Sequence, residues 1–376
     1  MKKVLIFSTA YFPLVGGAEV AMKEITDRLH EWEFHVITAK IQPGLARTER
    51  FGNAIVHRCG FGMPVDKYLL PCFGVWRALR IAKKEEVQVI WSLMASYGGF
   101  AALVYTWVRP KAKMLLTLQE GDPLDYIAKR VGIFHRFFVK IFERANAVQA
   151  ISHFLADWAV KMGFKGVPIV IPNGVDIARF TAPQDTSALS ALRTQWGVSQ
   201  EDILVVTASR LVLKNGTDDL IRALTFLPKN YKLIIAGDGD DRDKLRVLTQ
   251  QKQLTERVVF LGGLSHEKLP SVLKACDIFC RPSLSEGLGI SFLEAMAVGL
   301  PIIGTPVGGI PDFLQDGETG VFCQPRDPES IAKAVLRIQN VPGLRDTLIV
   351  RGSALVSESY NWENIAEDIG KMIRSI

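Results

Sequence analysis

Two glutamates, Glu286 and Glu294, are separated by seven residues in the stretch SEGLGISFLEAMAVGLPIIGTPVGG, residues 285–309. A Gly-Leu-Gly turn follows the first, and the second falls in ISFLEAMA, a segment of helical character. Glycine lets backbone amides approach a ligand closely. The start of a helix adds N–H groups without partners inside it, which suits a phosphate. A carboxylate accepts hydrogen bonds from two adjacent hydroxyls, so the pair fits a sugar at Glu286 and a ribose at Glu294. The backbone of Gly287, Leu288, Gly289 and Ile290 lies between them. Earlier in the chain, Arg210 and Lys214 follow an apolar run. Two cations there would neutralise a diphosphate leaving group, whose charge grows as the bond to it breaks, so the stabilisation acts in the transition state. Taken singly, each of these charges fits a solvated loop. The glycine pattern and the Gly-Leu-Pro-Ile-Ile run behind it set the stretch apart.

Other candidates are weaker. Gly16 and Gly17 lie between a first strand and a helix starting near Ala18, a turn that can bind an anion. A full G-x-G-x-x-G is lacking, so a dinucleotide site is not supported. Gln119, Glu120 and Asp122 in LLTLQEGDPLD end another strand and could line a cleft; Gln119 can bond a hydroxyl but cannot titrate. GDGDD contains a D-x-D, Asp238 and Asp240, of the kind that holds a metal elsewhere. In a chain with a cationic clamp it reads as a turn, with Gly237 approaching the ligand. No metal or other cofactor is expected. The six histidines have no metal spacing, and His153 reads as a helix-start residue. Cys276 and Cys280, spaced C-x3-C, and the other three cysteines read as buried or free thiols in a reducing cytosol.

Apolar runs alternate with amphipathic segments of helix length, the pattern of parallel sheets covered by helices on both faces. Strands are expected at 3–8, 35–39, 54–58, 87–93, 113–118, 147–151 and 168–171, then at 202–208, 231–236, 257–261, 278–281, 301–304 and 320–322. An Asn-Gly turn, two prolines and polar residues break the pattern after Ile171. The expected organisation is a first α/β domain at 1–172, a linker at 173–198 and a second α/β domain at 199–359, with an amphipathic helix in 360–376 returning to the first. Ligands of such doubly wound sheets bind beyond the carboxyl ends of the strands.

A length of 376 residues exceeds one hydrophobic core, in agreement with two domains. Lys2 and Lys3 precede only the short apolar run Val4 to Phe7, so a first strand is expected rather than a signal peptide. Residues 87–108 carry no charge and could span a bilayer, but Gln88, Ser92, Ser96, Gly98 and Gly99 divide them into a strand, a turn and a packed helix. A cytoplasmic protein is expected. The net charge of +6 is uneven, with 15 Lys and Arg against 8 Asp and Glu in residues 65–170. Such a face suits an anionic membrane or an anionic acceptor. Nucleic acid is not expected, because no basic-aromatic motif accompanies the charge.

Residues 285–309 resemble the E-x7-E signature of the retaining GT-B glycosyltransferases of family GT4. The likeness extends over nearly the whole chain and is strongest in 205–322. SRLVLKNGTDDLIRAL resembles the family's arginine-lysine diphosphate clamp, and IIAGDGDDRDKL, VVFLGGLSHEKLPSVLKACDIFCRPS and GGIPDFLQDGETGVF follow in its order. YFPLVGGAEV resembles its glycine-rich acceptor-side loop, and IPNGVD the segment closing its first lobe. The resemblance implies two Rossmann-like domains facing a cleft and a nucleoside-diphosphate sugar on the second. Arg210, Lys214 and Glu286 would act on that donor, with Gly287, Leu288, Gly289, Ile290, Glu294, Gly237 and Leu264 around it. A carbohydrate or lipid-linked acceptor would lie near Gly16, Gly17, Gln119, Glu120 and Asp122. It also implies attack from the leaving-group face, with a donor phosphate oxygen taking the proton. Two departures stand out: Gln119 where many members carry a histidine, and Asn215 where a lysine is frequent, Lys214 lying one place earlier. A sugar-nucleotide 2-epimerase or α-glucan phosphorylase of the same fold, and a non-catalytic binding protein, are the alternatives. The phosphorylase would need a pyridoxal phosphate lysine.

Overall fold

The computed structural model describes residues 2–14, 16–84 and 87–376. Val15 in the glycine-rich block, and Glu85 and Glu86 among the acids counted above, lie outside the described residues, as does the Gln88 side chain. The chain forms two compact units, Met1–Gly174 with Trp362–Ile376, and Val175–Asn361.

The first unit holds β1 (Lys2–Phe7), β2 (Trp32–Ala39), β3 (Thr48–Phe51), β4 (Ala54–Cys59), β5 (Val87–Leu93), β6 (Lys113–Leu118), β7 (Ala147–Ala150) and β8 (Ile169–Val170). They form one sheet in the order β3-β4-β2-β1-β5-β6-β7-β8. Val4, Leu5, Ile6 and Phe7 are all buried, as expected for a strand covered on both faces. Val4 and Ile6 share a core with the helices Gly17–Arg28 and Trp362–Ser375. Phe7 points the other way and meets Tyr105 of the helix Tyr97–Val108 at 5.7 Å. Trp362, Ile365, Ala366, Ile369 and Ile373 follow helical spacing, and Arg28 pairs with Glu363 at 3.1 Å. The uncharged run 87–108 is thus a strand and a packed helix, and no helix among the described residues is long and apolar enough to cross a membrane. The expectation of purely parallel pairing fails at one edge. β3 pairs antiparallel with β4, and its exposed Thr48, Glu49 and Arg50 show no apolar alternation that would announce a strand.

The second unit is a parallel sheet of β9 (Ile203–Ala208), β10 (Tyr231–Ala236), β11 (Val258–Gly262), β12 (Ile278–Arg281), β13 (Ile302–Gly304) and β14 (Val321–Phe322), ordered β11-β10-β9-β12-β13-β14. Val205, Ile235, Ile278 and Ile303 pack on one face with Leu220, Ile331 and Val335. On the other, Phe279 meets Phe292 of the helix Ile290–Ala297 at 5.2 Å. Residues 175–198, expected as part of a linker, belong to this unit. Phe180 is buried, and Arg193 donates to the Ala275 carbonyl at 3.2 Å and pairs with Asp277 at 3.5 Å. The helix Thr186–Gln195 carries no buried residue, which is why its sequence looks like a connection.

Each sheet reverses its strand order once, between β1 and β5 and between β9 and β12. Loops at the carboxyl ends of strands beside such a reversal are where these folds bind ligands.

Candidate active site

In the second unit, the residues singled out from sequence fall in loops following β9, β10, β11 and β12, apart from Ile290 and Glu294 in the helix Ile290–Ala297. Arg210 is exposed in the loop after β9, which closes in a tight turn at Leu213–Asn215. Asn215 is buried, and its side-chain amide donates to the Arg210 carbonyl at 2.6 Å. The amide at the place of the family's lysine therefore shapes the loop that carries Arg210. One residue before, the Lys214 carbonyl accepts the Leu284 N–H at 2.7 Å. That bond joins the cationic loop to the segment leading into Glu286, across the point where the strand order reverses.

From its other side the Glu286 segment is held by the loop after β13. Gly308 has φ +56°, and a Cβ there would sit 1.8 Å from the Glu286 carbonyl oxygen. Only glycine fits such an approach. The Gly309 N–H donates to that same oxygen at 3.2 Å. Gly237 has an equally close neighbour, since a Cβ would lie 1.8 Å from the Ser209 carbonyl oxygen. Its lack of a side chain is thus used in packing the loop after β10 against the loop of Arg210. Gly287, Leu288 and Gly289 are buried, and Gly289 caps the helix that begins at Ile290.

Sequence reasoning missed Arg281. It ends β12 with its side chain buried, and its guanidinium pairs with the Glu286 carboxylate. It also donates to Ser283 Oγ at 3.1 Å and Ser291 Oγ at 2.8 Å, and lies 4.8 Å from the Phe292 ring centroid. The signal was a single cation in the apolar run DIFCRPS, five residues before Glu286. Glu294 is buried in the helix Ile290–Ala297, not exposed on its surface. Burial pushes its carboxyl up to about 7, against the opposing pull of Arg281 and Arg179. One guanidinium therefore acts on both glutamates. His266 Nδ1 lies 3.7 Å from a Glu294 oxygen, which brings the loop after β11, with Leu264, beside that carboxylate.

In the first unit, Gly16 and Gly17 begin the helix Gly17–Arg28, but the Gly16 N–H already donates to Glu19 at 2.7 Å. Gln119 accepts from the Asn173 amide at 2.9 Å. Glu120, a candidate to line a cleft, is 5% exposed and accepts the Ala95 N–H at 2.8 Å. It buckles the loop after β5 to the end of β6. Burial pushes its carboxyl up to about 7, Asp122 adding to the push. Asp122 itself is half-buried two residues on.

Asp238 bonds the Gly239 N–H of its own turn at 2.8 Å, and among the described residues no group of three His, Cys, Asp or Glu is placed to hold a metal ion. His153 opens the helix His153–Lys161 behind its cap, Ser152. All five cysteines are free, and all but Cys72 are buried.

The family model "Glycosyl transferases group 1" matches residues 190–354, and "Glycosyltransferase Family 4" matches residues 15–179. A GDP-mannose-dependent alpha-(1-6)-phosphatidylinositol monomannoside mannosyltransferase of Mycolicibacterium smegmatis is 32% identical over 311 residues, 79% of either chain. An uncharacterized glycosyltransferase of Methanocaldococcus jannaschii is 34% identical over 201 residues, 53% of this chain and 52% of that one. The fold is shared with HepE of Anabaena in complex with UDP and glucose, at TM-score 0.83, 21% identity and full coverage of both chains. It is also shared with sucrose-phosphate synthase of Thermosynechococcus elongatus, at TM-score 0.85 and 23% identity, covering 100% of this chain and 99% of that one. The chain belongs to glycosyltransferase family 4 and is a glycosyltransferase of GT-B fold.

Proposed function

We propose that the enzyme transfers a sugar, with retention, from a nucleoside-diphosphate sugar on its second unit to a hydroxyl of a carbohydrate or lipid-linked acceptor recruited by the first. The observation that carries this is the Leu284–Lys214 backbone bond at the β9–β12 reversal, which draws the loop of Arg210 and Lys214 to the segment of Glu286. Arg210 and Lys214 take the diphosphate. Glu286, with the backbone of Gly287 to Ile290, takes the sugar hydroxyls, and Glu294 the ribose, with Gly237 and Leu264 at the nucleoside. As the bond from the anomeric carbon to the phosphate oxygen breaks, the acceptor oxygen bonds to that carbon on the same face. The acceptor proton passes to the departing phosphate, leaving a glycoside and a nucleoside diphosphate. The two cations balance the charge that develops there, so no metal is assigned a role.

A relative named for GDP-mannose and fold neighbours holding UDP or UDP-glucose support a nucleoside-diphosphate donor without choosing its base. Gly16, Gly17, Gln119 and Asp122 are assigned to the acceptor side, with Glu120 supporting them from within. The basic stretch at 65–170 supports work at an anionic membrane surface on the cytoplasmic side. Nucleotide release from a panel of UDP-, GDP- and ADP-sugars, with and without acceptors, is the direct test. One donor should give acceptor-stimulated release, and Glu286→Gln should lower kcat by about 10²- to 10³-fold. A Glu286→Ala enzyme working at the wild-type rate would refute the assignment.

A further inference from the structure

In the second unit, Glu294 is a buried carboxylate that the fold leaves without a hydrogen-bond donor. It stands in the helix Ile290–Ala297 with its side chain 6% exposed, and among the described residues no N–H or O–H is bonded to either of its oxygens. Buried polar groups in folded proteins are nearly always bonded, so an acceptor of this kind beside a ligand loop points to donors brought by a ligand. The ribose hydroxyls of the proposed nucleotide sugar would supply them.

Three basic side chains face this carboxyl. Arg281 comes from the end of β12, where it already pairs with Glu286 and bonds Ser283 and Ser291. Arg179 comes from the helix Ile177–Thr181 and pairs with Asp176 at 3.0 Å. Both act on Glu294, and both are engaged by other carboxylates. His266, in the loop after β11, stands with Nδ1 3.7 Å from a Glu294 oxygen. The helix Leu344–Ser359 meets the Glu294 helix through Gly352 and Ser353, which carry no charge.

The imidazole differs from the two guanidinium groups. It exists neutral or charged near neutral pH, and its side chain is half exposed while that of Glu294 is enclosed. Burial pushes the Glu294 carboxyl up to about 7, so it holds a proton in slightly acidic solution. A protonated carboxyl spends one oxygen as a donor. A carboxylate accepts on both, which suits the two adjacent hydroxyls of a ribose.

We propose that His266 is the positioning residue of the ribose site: as the donor enters, the Glu294 carboxyl passes its proton to His266 Nδ1, and the carboxylate accepts both ribose hydroxyls beside an imidazolium. The O–H bond of Glu294 breaks and an N–H bond forms on the imidazole, so the proton stays on the protein. The inference rests on the assignment of the ribose to Glu294 made above.

The test is titration calorimetry of the preferred nucleotide sugar into the full chain at pH 6 and pH 7, each in two buffers of different ionisation enthalpy. At pH 7 wild type should release no proton on binding, and His266→Gln about half of one. Between pH 7 and pH 6 the affinity of wild type should change less than about twofold, and that of His266→Gln should fall about fivefold. Glu294→Gln should bind about tenfold more weakly at both pH values and release no proton. His266 is half exposed, so His266→Gln should melt as wild type does. The same proton release by wild type and His266→Gln, a pH dependence that the substitution leaves unchanged, or wild-type affinity in Glu294→Gln would each overturn the proposal while leaving the diphosphate site standing. Failure of every nucleotide sugar to bind wild type would overturn the donor assignment, and this inference with it.

Discussion

Around Glu286 the second unit ties loop to loop. Leu284 bonds to Lys214, Asn215 holds the Arg210 carbonyl, Gly308 packs on the Glu286 backbone, and Arg281 pairs with the Glu286 carboxylate. At the matching end of the first unit, Glu120 fastens one loop through Ala95, and one of its carboxylate oxygens is buried without a partner among the described residues. Exposed apolar residues and cations follow directly after it. The contrast fits two kinds of ligand. A nucleoside diphosphate presents a fixed set of charges and hydroxyls, so its loops can be built rigid in advance. The acceptor proposed for the first unit would present a broader surface, which exposed area and charge would suit.

Removing the tie that most distinguishes the second unit should have the largest effect. Arg281→Met leaves Glu286 without its cation, a change that costs about 3–5 kcal/mol when a buried pair is broken. We expect a lower melting temperature and kcat/KM reduced roughly 100-fold. In a double-mutant cycle with Glu286→Gln, the two losses should be far from additive, because both changes remove the same pair. Additive losses would mean that Arg281 acts elsewhere.

Asn215→Ala removes one of two hydrogen bonds to the Arg210 carbonyl, which still accepts the Val212 N–H at 3.0 Å, so the loss is that of an ordinary hydrogen bond, about 0.5–1.5 kcal/mol. Steady-state kinetics should show donor KM raised about tenfold with kcat little changed, because the loop is loosened while Arg210 and Lys214 remain. An equal fall in kcat would place Asn215 closer to the reacting atoms.

The first unit is sharpened by pH. Burial holds the Glu120 carboxyl up at about 7, so the folded state keeps a proton that the unfolded chain releases in the ordinary carboxylate range. Its contribution to stability is full below that range and is lost as pH rises through about 7. The wild-type melting temperature should therefore decline between about pH 5 and about pH 8. Glu120→Gln keeps an acceptor for Ala95 and should flatten the decline, not abolish it, since Glu294 is raised in the same way. A slope unchanged in Glu120→Gln would contradict this. The smallest effect is expected from a chelator: EDTA should leave the rate within error of the untreated enzyme, and a loss restored by a divalent ion would show that the cations at Arg210 and Lys214 do not suffice.

Most strands could be read from sequence because a buried parallel strand is a continuous apolar run bounded by turns, and β1, β5, β9 and β12 have that form. β3 could not, since a short exposed edge strand needs no such run. Residues 175–198 look like a connection because the helix Thr186–Gln195 rides on the surface, while the residues that attach the stretch, Phe180, Ala182, Gln184 and Arg193 among them, are scattered along it. The candidate site was legible where a motif carries its own spacing, as at Glu286, Glu294, Arg210 and the glycines. It was not legible where a role depends on which way a side chain turns. Arg281 follows three apolar residues and could have marked a strand end facing water, but it turns inward to Glu286. Glu120 stands between polar Gln119 and Gly121, with nothing in the sequence to say that it is buried.

Titration calorimetry of the preferred nucleotide sugar into wild type, Arg210→Ala and Arg210→Ala/Lys214→Ala tests most directly whether these loops of the second unit form one donor site. Loss of one cation should weaken binding about tenfold and loss of both about 100-fold or more, in line with charge-assisted contacts of about 1.5–3 kcal/mol each. Wild-type affinity in the double variant would contradict the account, because the diphosphate would then be held elsewhere.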